Sequence, residues 1–524
     1  MAQEALKSLD APPQVNPWIV AVAVMFGTFM EVLDTTVVNV SLPHIAGSLS
    51  TTVEEATWVL TSYLVANAII LPLTGWLANY FGRKRVLMIA VSGFTISSVL
   101  CGLAPSLQWL VFFRILQGLS GGSLQPLSQS VLLETFPPEK RGQAMGFWGL
   151  GIVVAPILGP VLGGWVTDSY SWRWVFYINI PVGIASLFMI KQFIFDPHYI
   201  RRASSRVDYW GIGMLAVSIA ALQMVLDAGQ SQDWFASHWI TAAAVLSTIM
   251  LVVFIVYELR TPHPVLDLRV FTIRTYRTGV LLTAMLSFVL YGSIVLLPIF
   301  LQTLLGYPAF QAGIATSPRG VGSFVAMPIV GAIMMRFDPR KLLATGLGVS
   351  AITLFMLAGL NLDTGYWDIF WPQIIQGITL GLIWVPMTTI TMDPIPKETM
   401  GNATSIYSLT RNIGASMGIA TATTWMARGQ QRHINVLTAH VNAYNPQARL
   451  MARSLQTAWM NNGSDSATAL RQSQAGLFGM IQRQAAMLTF LDSFWMMGFI
   501  FLLMIPLVLL MKRPARIAPS LPLE

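Results

Sequence analysis

Long apolar runs recur along the whole chain and are separated by short segments rich in Lys, Arg, Pro and Gly. A helix rises about 1.5 Å per residue, so about 20 mostly apolar residues cross the hydrocarbon core of a bilayer. The pattern therefore predicts an all-α integral membrane protein with fourteen membrane helices. These span residues 17 to 38, 55 to 78, 86 to 104, 108 to 134, 142 to 167, 174 to 196, 209 to 227, 238 to 258, 277 to 303, 310 to 335, 341 to 360, 367 to 392, 400 to 427 and 487 to 511.

The basic residues outside these helices lie mainly in every second short loop. By the positive-inside rule, this asymmetry places those loops and both chain termini in the cytoplasm. The residues are Arg83, Lys84, Arg85, Lys140, Arg141, Arg201, Arg202, Arg206, Arg260, Arg269, Arg274, Arg277, Arg336, Arg340, Lys341, Lys397, Lys512, Arg513 and Arg516. Among the other short loops, only Arg173 is basic. A longer segment, from about 428 to 486, escapes the rule and is predicted to be extracytoplasmic.

Composition narrows the class of protein further. The chain is 54% hydrophobic and only 10% charged, whereas soluble proteins are about 25% charged. The net charge of +8 comes from short clusters instead of one basic stripe, so nucleic acid is not a predicted partner. The single cysteine, the six scattered histidines and the lack of a GxxxxGK[ST] loop predict no metal, no cofactor and no enzyme.

An internal repeat divides the chain into two related halves. Residues 117 to 144, QGLSGGSLQPLSQSVLLETFPPEKRGQA, align at one offset with residues 376 to 403, QGITLGLIWVPMTTITMDPIPKETMGNA. Such repeats are typical of transporters that rock two bundles about a central site. The predicted organisation is a cytoplasmic tail (1–16), a six-helix bundle (17–196), two extra helices with linkers (197–276), a second six-helix bundle (277–511) and a cytoplasmic tail (512–524).

Two carboxylates, Glu31 and Asp34, interrupt the first apolar run. They are three residues apart and so lie on one face of a helix. Burial disfavours the charged form of a carboxylate, which brings protonation toward physiological pH, as a proton-coupled exchanger requires. We expect Asp34 to exchange a proton for substrate and Glu31 to be a second acid. The alternative is a purely structural carboxylate.

Arg114 lies inside the apolar stretch LVFFRILQGLSGG. An intramembrane charge costs roughly 2.5 to 3.5 kcal/mol on insertion scales, so it normally has a partner. Asp34 is the expected partner, and the alternative is an Arg114 that snorkels to the outer interface.

A glycine-rich loop motif, GWLANYFGRKR, follows the second helix. Gly75 and Gly82 permit close backbone approach and a tight turn. Arg83 is expected to pair with a carboxylate or a helix end, although the basic residues are also explained by topology alone.

The fifth predicted helix contains GIVVAPILGPVLGGW. Its small residues let a neighbouring helix approach closely, and each proline removes a backbone donor. Packing alone is the alternative explanation for this motif, and the doubled Gly-Pro arrangement disfavours it. Its residues are Gly151, Pro156, Gly159, Pro160, Gly163 and Gly164.

These motifs, together with LDTTVVNVSLP, RILQG and WRWVFYINIPVG, resemble the signatures of the major facilitator superfamily, and specifically its fourteen-helix drug:proton antiporters of the EmrB/QacA type. The resemblance implies the major facilitator fold and a bacterial inner-membrane efflux antiporter. Such a protein exports hydrophobic or amphipathic toxic compounds and is driven by the proton gradient. In that family the Gly-Pro motif is associated with antiport. One departure is Asn79, where the loop motif usually has an acid.

The segment from about 428 to 486 is polar, Gln-rich and compatible with helix formation. It resembles the EmrB multidrug export branch, whose members work with a periplasmic adaptor and an outer-membrane channel. Adaptor docking is therefore expected, and a plain extracytoplasmic cap is the alternative.

Several polar and aromatic residues within the predicted helices are candidate liners of a substrate cavity, because broad specificity needs adaptable contacts. Arg319 and Arg411 could select anionic or zwitterionic compounds, or pair with Asp393 or a helix end. The other candidates are Tyr63, Asn67, Gln125, Tyr291, Gln302 and Trp384. Competing functions are a proton-coupled symporter or exporter of one metabolite, which the Gly-Pro helix disfavours, and a non-transporting membrane sensor.

Overall fold

The computed structural model describes residues 16–196, 208–262, 264–334, 336–442 and 444–511, and this part of the chain is helical without a β-strand. A short helix, Val53–Ala56, precedes α2. The numbered helices are α1 (Pro17–Ser48), α2 (Trp58–Phe81), α3 (Arg83–Leu103), α4 (Leu107–Gly121), α5 (Leu124–Thr135), α6 (Arg141–Ser169), α7 (Trp174–Tyr177), α8 (Asn179–Phe193), α9 (Tyr209–Ala228), α10 (His238–Arg260), α11 (Arg274–Thr303), α12 (Ala309–Thr316), α13 (Pro318–Ile333), α14 (Pro339–Leu357), α15 (Tyr366–Met392), α16 (Met400–His440), α17 (Pro446–Asn461) and α18 (Ser466–Val508).

Every predicted membrane segment contains helix. Within the described ranges, eleven helical stretches are long and apolar enough to cross a membrane. Three of the fourteen predicted segments are not among these eleven. Two of them are each divided between two shorter helices, α4 with α5 and α12 with α13. The last one, at the start of α16, lies in a helix of low mean hydropathy. For these three segments, the prediction of fourteen spans therefore rests on the resemblance to fourteen-helix transporters.

The predicted helix boundaries at 427 and 487 are wrong. Helix α16 continues to His440, and α18 begins at Ser466. The amphipathic helix α17 lies beside the first part of α18, where the Ser473 hydroxyl donates to the Ala452 carbonyl at 2.6 Å. Both helices have capped starts, since the side chains of Asn445 and Asp465 accept backbone N–H groups. We call α17 and residues 466 to 486 the hairpin.

The two extra helices, α9 and α10, pack against each other through a reciprocal pair of hydrogen bonds. The Ser218 hydroxyl donates to the Ser247 carbonyl at 3.1 Å, and the Ser247 hydroxyl returns a bond to the Ser218 carbonyl at 2.9 Å. Helix α9 also packs against α2 and α16, where Gln223 donates to the Ser416 hydroxyl at 2.8 Å. Most of α10 is apolar and exposed, as expected for a helix that faces lipid.

The two bundles meet closely at the ends that we predict to be cytoplasmic. A Cβ added to Gly75 of α2 would lie 2.7 Å from the Asn402 backbone nitrogen of α16. On the other side, a Cβ at Gly331 of α13 would lie 2.8 Å from the Gly142 carbonyl oxygen of α6. Glycines at these crossings let the helix backbones touch. We call these two crossings the inner seam, which closes the molecule on this side.

Candidate proton and substrate site

Asp34 lies on α1 at the centre of the first bundle and is fully buried. Its Oδ2 accepts a hydrogen bond from Arg114 Nη1 at 2.5 Å. Its Oδ1 accepts from Gln117 Nε2 at 3.1 Å and from Asn179 Nδ2 at 2.7 Å. Three donors from α4 and α8 thus hold this carboxylate. Hydrogen bonds that involve a charged group are the strong ones, so the bond from Arg114 fixes the position of the Asp34 carboxylate.

Arg114 has no exposed surface, so the snorkelling alternative is wrong. Its Nε donates to the Val59 carbonyl at 3.0 Å, and its Nη1 also reaches Gln117 Oε1 at 2.8 Å. The guanidinium lies 4.2 Å from the centre of the Tyr63 ring. Its Nη2 is buried without a hydrogen-bond partner in the described part of the chain. The arginine therefore keeps one donor free for a ligand or for water.

Two residues of this cluster, Gln117 and Asn179, were not predicted as site residues. Gln117 is one helical turn from Arg114, and helical spacing of polar side chains would have indicated it. Asn179 belongs to the motif WRWVFYINIPVG but comes from a distant helix. It also donates to the Ser98 hydroxyl at 2.9 Å, which in turn donates to the Phe176 carbonyl at 2.8 Å.

Glu31 lies one turn before Asp34 on the same face of α1 and is 5% exposed. Its Oε1 accepts from Asn67 Nδ2 at 2.9 Å, while Oε2 is buried without a hydrogen-bond partner among the described residues. Tyr63 is buried and close enough to interact electrostatically with both acids. The predicted liners Tyr63 and Asn67 therefore lie at the acidic site.

The predicted liners Gln125, Trp384 and Arg411 meet at the interface between the bundles. Arg411 Nη2 of α16 donates to Gln125 Oε1 of α5. The guanidinium lies 5.6 Å from the Trp384 ring and 5.9 Å from the ring of Trp148, which was not predicted. Distances of this size are typical of cation–π contacts. This group joins the acidic site of the first bundle to the second bundle.

The remaining candidates lie elsewhere. Arg319 of α13 faces Ser293 Oγ at 3.5 Å, while Tyr291 is half-buried and Gln302 exposed on α11. The alternative that pairs Arg319 or Arg411 with Asp393 is wrong, because among the described residues Asp393 pairs with Arg141, at 4.0 Å. Burial raises the pKa of Asp393, and the charge of Arg141 opposes that shift.

Comparison with known proteins identifies the family of this chain. The sequence profile of the Major Facilitator Superfamily matches residues 24 to 419. The chain belongs to the major facilitator superfamily. It is 36% identical over 501 residues to the multidrug export protein EmrB of Escherichia coli K12, with 95% of each chain covered. It is also 36% identical to the fatty acid resistance protein FarB of Neisseria gonorrhoeae, over 97% of this chain and 98% of that protein.

Solved structures confirm the major facilitator fold. The proton:xylose symporter XylE superposes with a TM-score of 0.59 at 16% identity, and 94% of each chain is covered. The human organic anion transporter MFSD10 has the same TM-score at 14% identity, covering 94% of this chain and 100% of that one. At such low identities the likeness shows the fold alone.

The major facilitator loop motif between α2 and α3 is held by one ion pair and one backbone hydrogen bond to a carboxylate. Arg83 pairs with Glu134 of α5, and both side chains are almost fully buried. The backbone N–H of Lys84 donates to Asp196 Oδ1 at 2.9 Å. Gly82 has a φ of +88°, and a Cβ there would lie 2.5 Å from Asp196. Asn79 is half-buried, and two acids, Glu134 and Asp196, contact the motif at Arg83 and Lys84.

The Gly-Pro helix of this major facilitator protein, α6, packs along α1. A Cβ at Gly159 would lie 2.1 Å from the Thr36 hydroxyl, and one at Gly163 would lie 2.9 Å from the Val37 carbonyl oxygen. Gly151 similarly contacts Met25. Gly164 has open space around it, and Pro156 is exposed. The side chain of Pro160 lies outside the described part. This helix therefore positions α1, which carries both acids.

Proposed function

We propose that this chain is a proton-coupled multidrug exporter that moves hydrophobic or amphipathic toxic compounds by alternating access. The observation that carries the proposal is the fully buried pair of Asp34 and Arg114, with Glu31 one turn away. Ionisable residues inside the membrane mark proton and substrate pathways. The export proteins among the relatives support the direction of transport.

The geometry supports exchange at the acidic site. An ionised Asp34 accepts the hydrogen bonds of Arg114, Gln117 and Asn179. A proton on Asp34 removes its charge and weakens its hold on Arg114. A cationic substrate group near the same carboxylate competes with that proton. The proton gradient thus supplies the energy, and the chain needs no cofactor for this step.

The closed inner seam indicates which step of the transport cycle this conformation represents. The seam closes the predicted cytoplasmic ends through backbone contacts at Gly75 and Gly331. With that side closed, the site takes its proton from the opposite side, which releases substrate outward. Rocking the bundles then opens the seam and exposes the site to the cytoplasm or the inner leaflet.

The deciding experiment is efflux from proteoliposomes under an imposed pH gradient, with a cationic dye and a weakly acidic uncoupler as the two substrates. We expect wild type to move at least one of them outward as protons enter. Asp34→Asn is expected to bind substrate but to lose the response to the gradient. Asp363→Asn, in an exposed loop, is the matched control.

Each outcome of this experiment has one meaning. If Asp34→Asn still accumulates substrate as wild type does, Asp34 is not the exchange site. If substrate and protons move in the same direction in wild type, the protein is a symporter. If wild type moves neither compound, the export proposal fails for these substrate classes, and a sensor becomes the better hypothesis.

We further propose that the chain is the bacterial inner-membrane part of a tripartite pump, with both termini cytoplasmic, and that the hairpin binds a periplasmic adaptor leading to an outer-membrane channel. The hairpin carries exposed apolar side chains, Leu450 (67% exposed), Trp459 (40%) and Phe478 (46%). Water-exposed apolar surface of this kind marks protein interaction sites. A cap without a partner has no need for these side chains.

The hairpin proposal predicts a specific loss of function. Combined replacement of Leu450, Trp459 and Phe478 by serine should abolish drug resistance in cells while leaving efflux from proteoliposomes unchanged, because only the cell needs the partner. A matched variant replaces the exposed hairpin residues Gln447, Thr457 and Gln474 by serine and should keep both activities. Resistance that survives the apolar replacements would favour the plain cap.

A further inference from the structure

Arg411 is a buried cation without an acidic partner in contact. It is 7% exposed and comes from α16 of the second bundle. Within the described ranges no carboxylate oxygen lies within 4 Å of it, and its Nη1 has no hydrogen-bond partner. Its Nη2 donates a hydrogen bond to Gln125, a neutral residue of the first bundle. Burying a charge is costly unless another charge compensates it.

Gln125 links this cation to an acid. The amide oxygen of Gln125 accepts the bond from Arg411. An amide whose oxygen is occupied still offers two N–H donors. The same side chain lies against the carboxylate of Glu31. The order carboxylate, amide, guanidinium therefore runs from the first bundle to the second, and we call these three residues the central bridge.

The central bridge places opposite charges on the two bundles. Arg411 acts electrostatically on Glu31, and the Glu31 Oε2 is buried and unpaired in the described structure. Attraction between charges persists over several ångströms in a protein interior, because screening by water is weak there. The other ionisable groups near Glu31 are Asp34, which Arg114 compensates, and Tyr63. Arg411 is thus the positive charge of the second bundle that attracts an ionised Glu31 of the first bundle.

We propose that the central bridge prevents the empty transporter from changing conformation. With Glu31 ionised, its attraction to Arg411 holds the bundles together at the centre of the membrane. A proton or a cationic substrate group at Glu31 removes that attraction, and the bundles are then free to rock. The inference rests on the proposed function, since an exchanger has to stop its empty form from rocking to avoid dissipating the gradient.

The test separates coupling from binding. Wild type, Arg411→Gln, Arg411→Lys, Glu31→Gln and Arg277→Gln are reconstituted in proteoliposomes, and downhill flux of a cationic dye is measured without a pH gradient or counter-substrate. We expect Arg411→Gln and Glu31→Gln to raise this leak by about tenfold or more, a typical size for such coupling. Arg411→Lys keeps the charge and should stay close to wild type. Arg277→Gln removes an exposed arginine at the start of α11 in the second bundle and should not leak.

Two further measurements keep the inference falsifiable. The double variant Glu31→Gln with Arg411→Gln should leak no more than either single variant, because both remove the same attraction. If Arg411→Gln fails to fold, two results still test the bridge: the dye leak of Glu31→Gln is expected to rise, and the dye leak of Arg411→Lys is expected to stay at the wild-type level. Tight coupling in Glu31→Gln or in Arg411→Gln, or an equal leak in Arg277→Gln, overturns the bridge.

The bridge and the proposed function fail in different ways. If wild type exchanges dye for protons and the Arg411 and Glu31 variants remain tightly coupled, only the bridge is wrong. If wild type shows no proton-driven movement of either substrate class, the proposed function fails and the bridge fails with it.

Discussion

Replacement of Arg114 by leucine is expected to lower the free energy of unfolding by about 3 to 5 kcal/mol, because it breaks a fully buried ion pair and leaves one charge uncompensated. Asp34 would keep only the neutral donors Gln117 and Asn179. Transport should be lost together with stability. Thermal unfolding in detergent measures the first effect, and proteoliposome efflux measures the second.

A double variant distinguishes the effect of the lost charge on stability from the effect of the lost side-chain packing. Asp34→Asn combined with Arg114→Leu removes both charges, so we expect most of the stability to return while proton coupling stays lost. Leucine at Arg277, which is exposed at the start of α11, is the control for losing an arginine. An Arg114→Leu protein as stable as wild type would mean that Arg114 does not compensate the Asp34 charge.

Valine at Gly75 should reduce transport by roughly tenfold or more, since overpacking costs about 1 to 3 kcal/mol. A Cβ at this position would lie 2.7 Å from the backbone of Gly401 and of Asn402, which cannot turn away as a side chain can. The conformation with a closed inner seam is therefore destabilised. Gly213→Val is the matched control, because a Cβ at that helical position meets open space.

The state of the seam can be measured directly. Spin labels at the exposed positions Arg85 and Lys397, in a Cys101→Ser background, would report the separation of the two predicted cytoplasmic ends. We expect Gly75→Val to shift the distances to longer values and Gly213→Val to leave them unchanged. Unchanged distances in Gly75→Val, together with normal transport, would mean that the bundles do not need this contact.

Much of the fold follows from the sequence, because the bilayer restricts the choices. Backbone polar groups must be satisfied within each spanning segment, so long apolar runs become helices. The boundary predicted at 142 lies one residue from the observed start of α6 at Arg141, whereas the boundaries predicted at 78 and 86 lie three residues from the observed ones. The boundaries at 427 and 487 were wrong, because the polar residues beyond the membrane still favour helix and Gly429 does not end it.

The pair of Asp34 and Arg114 was also predictable, since a lone charge in an apolar helix needs a partner. The same argument placed Arg319 and Arg411 inside the membrane but assigned the wrong neighbour to them. Asp393 aligns with Glu134 in the repeat, yet the structure brings Arg141 to it. Charge alone indicates that a partner is required, and it does not say which of several candidates will be close enough.

The sequence by itself determined the membrane class, the two related halves, the family and the acids at the centre, because each depends on local hydropathy, spacing or motif. The tertiary structure alone decided that Asn179 contacts Asp34 and that Trp148 lies beside Arg411. It also decided that Gln125 stands between Glu31 and Arg411, and that glycines seal the inner seam. These contacts join residues far apart in the chain, and their geometry depends on how whole helices pack.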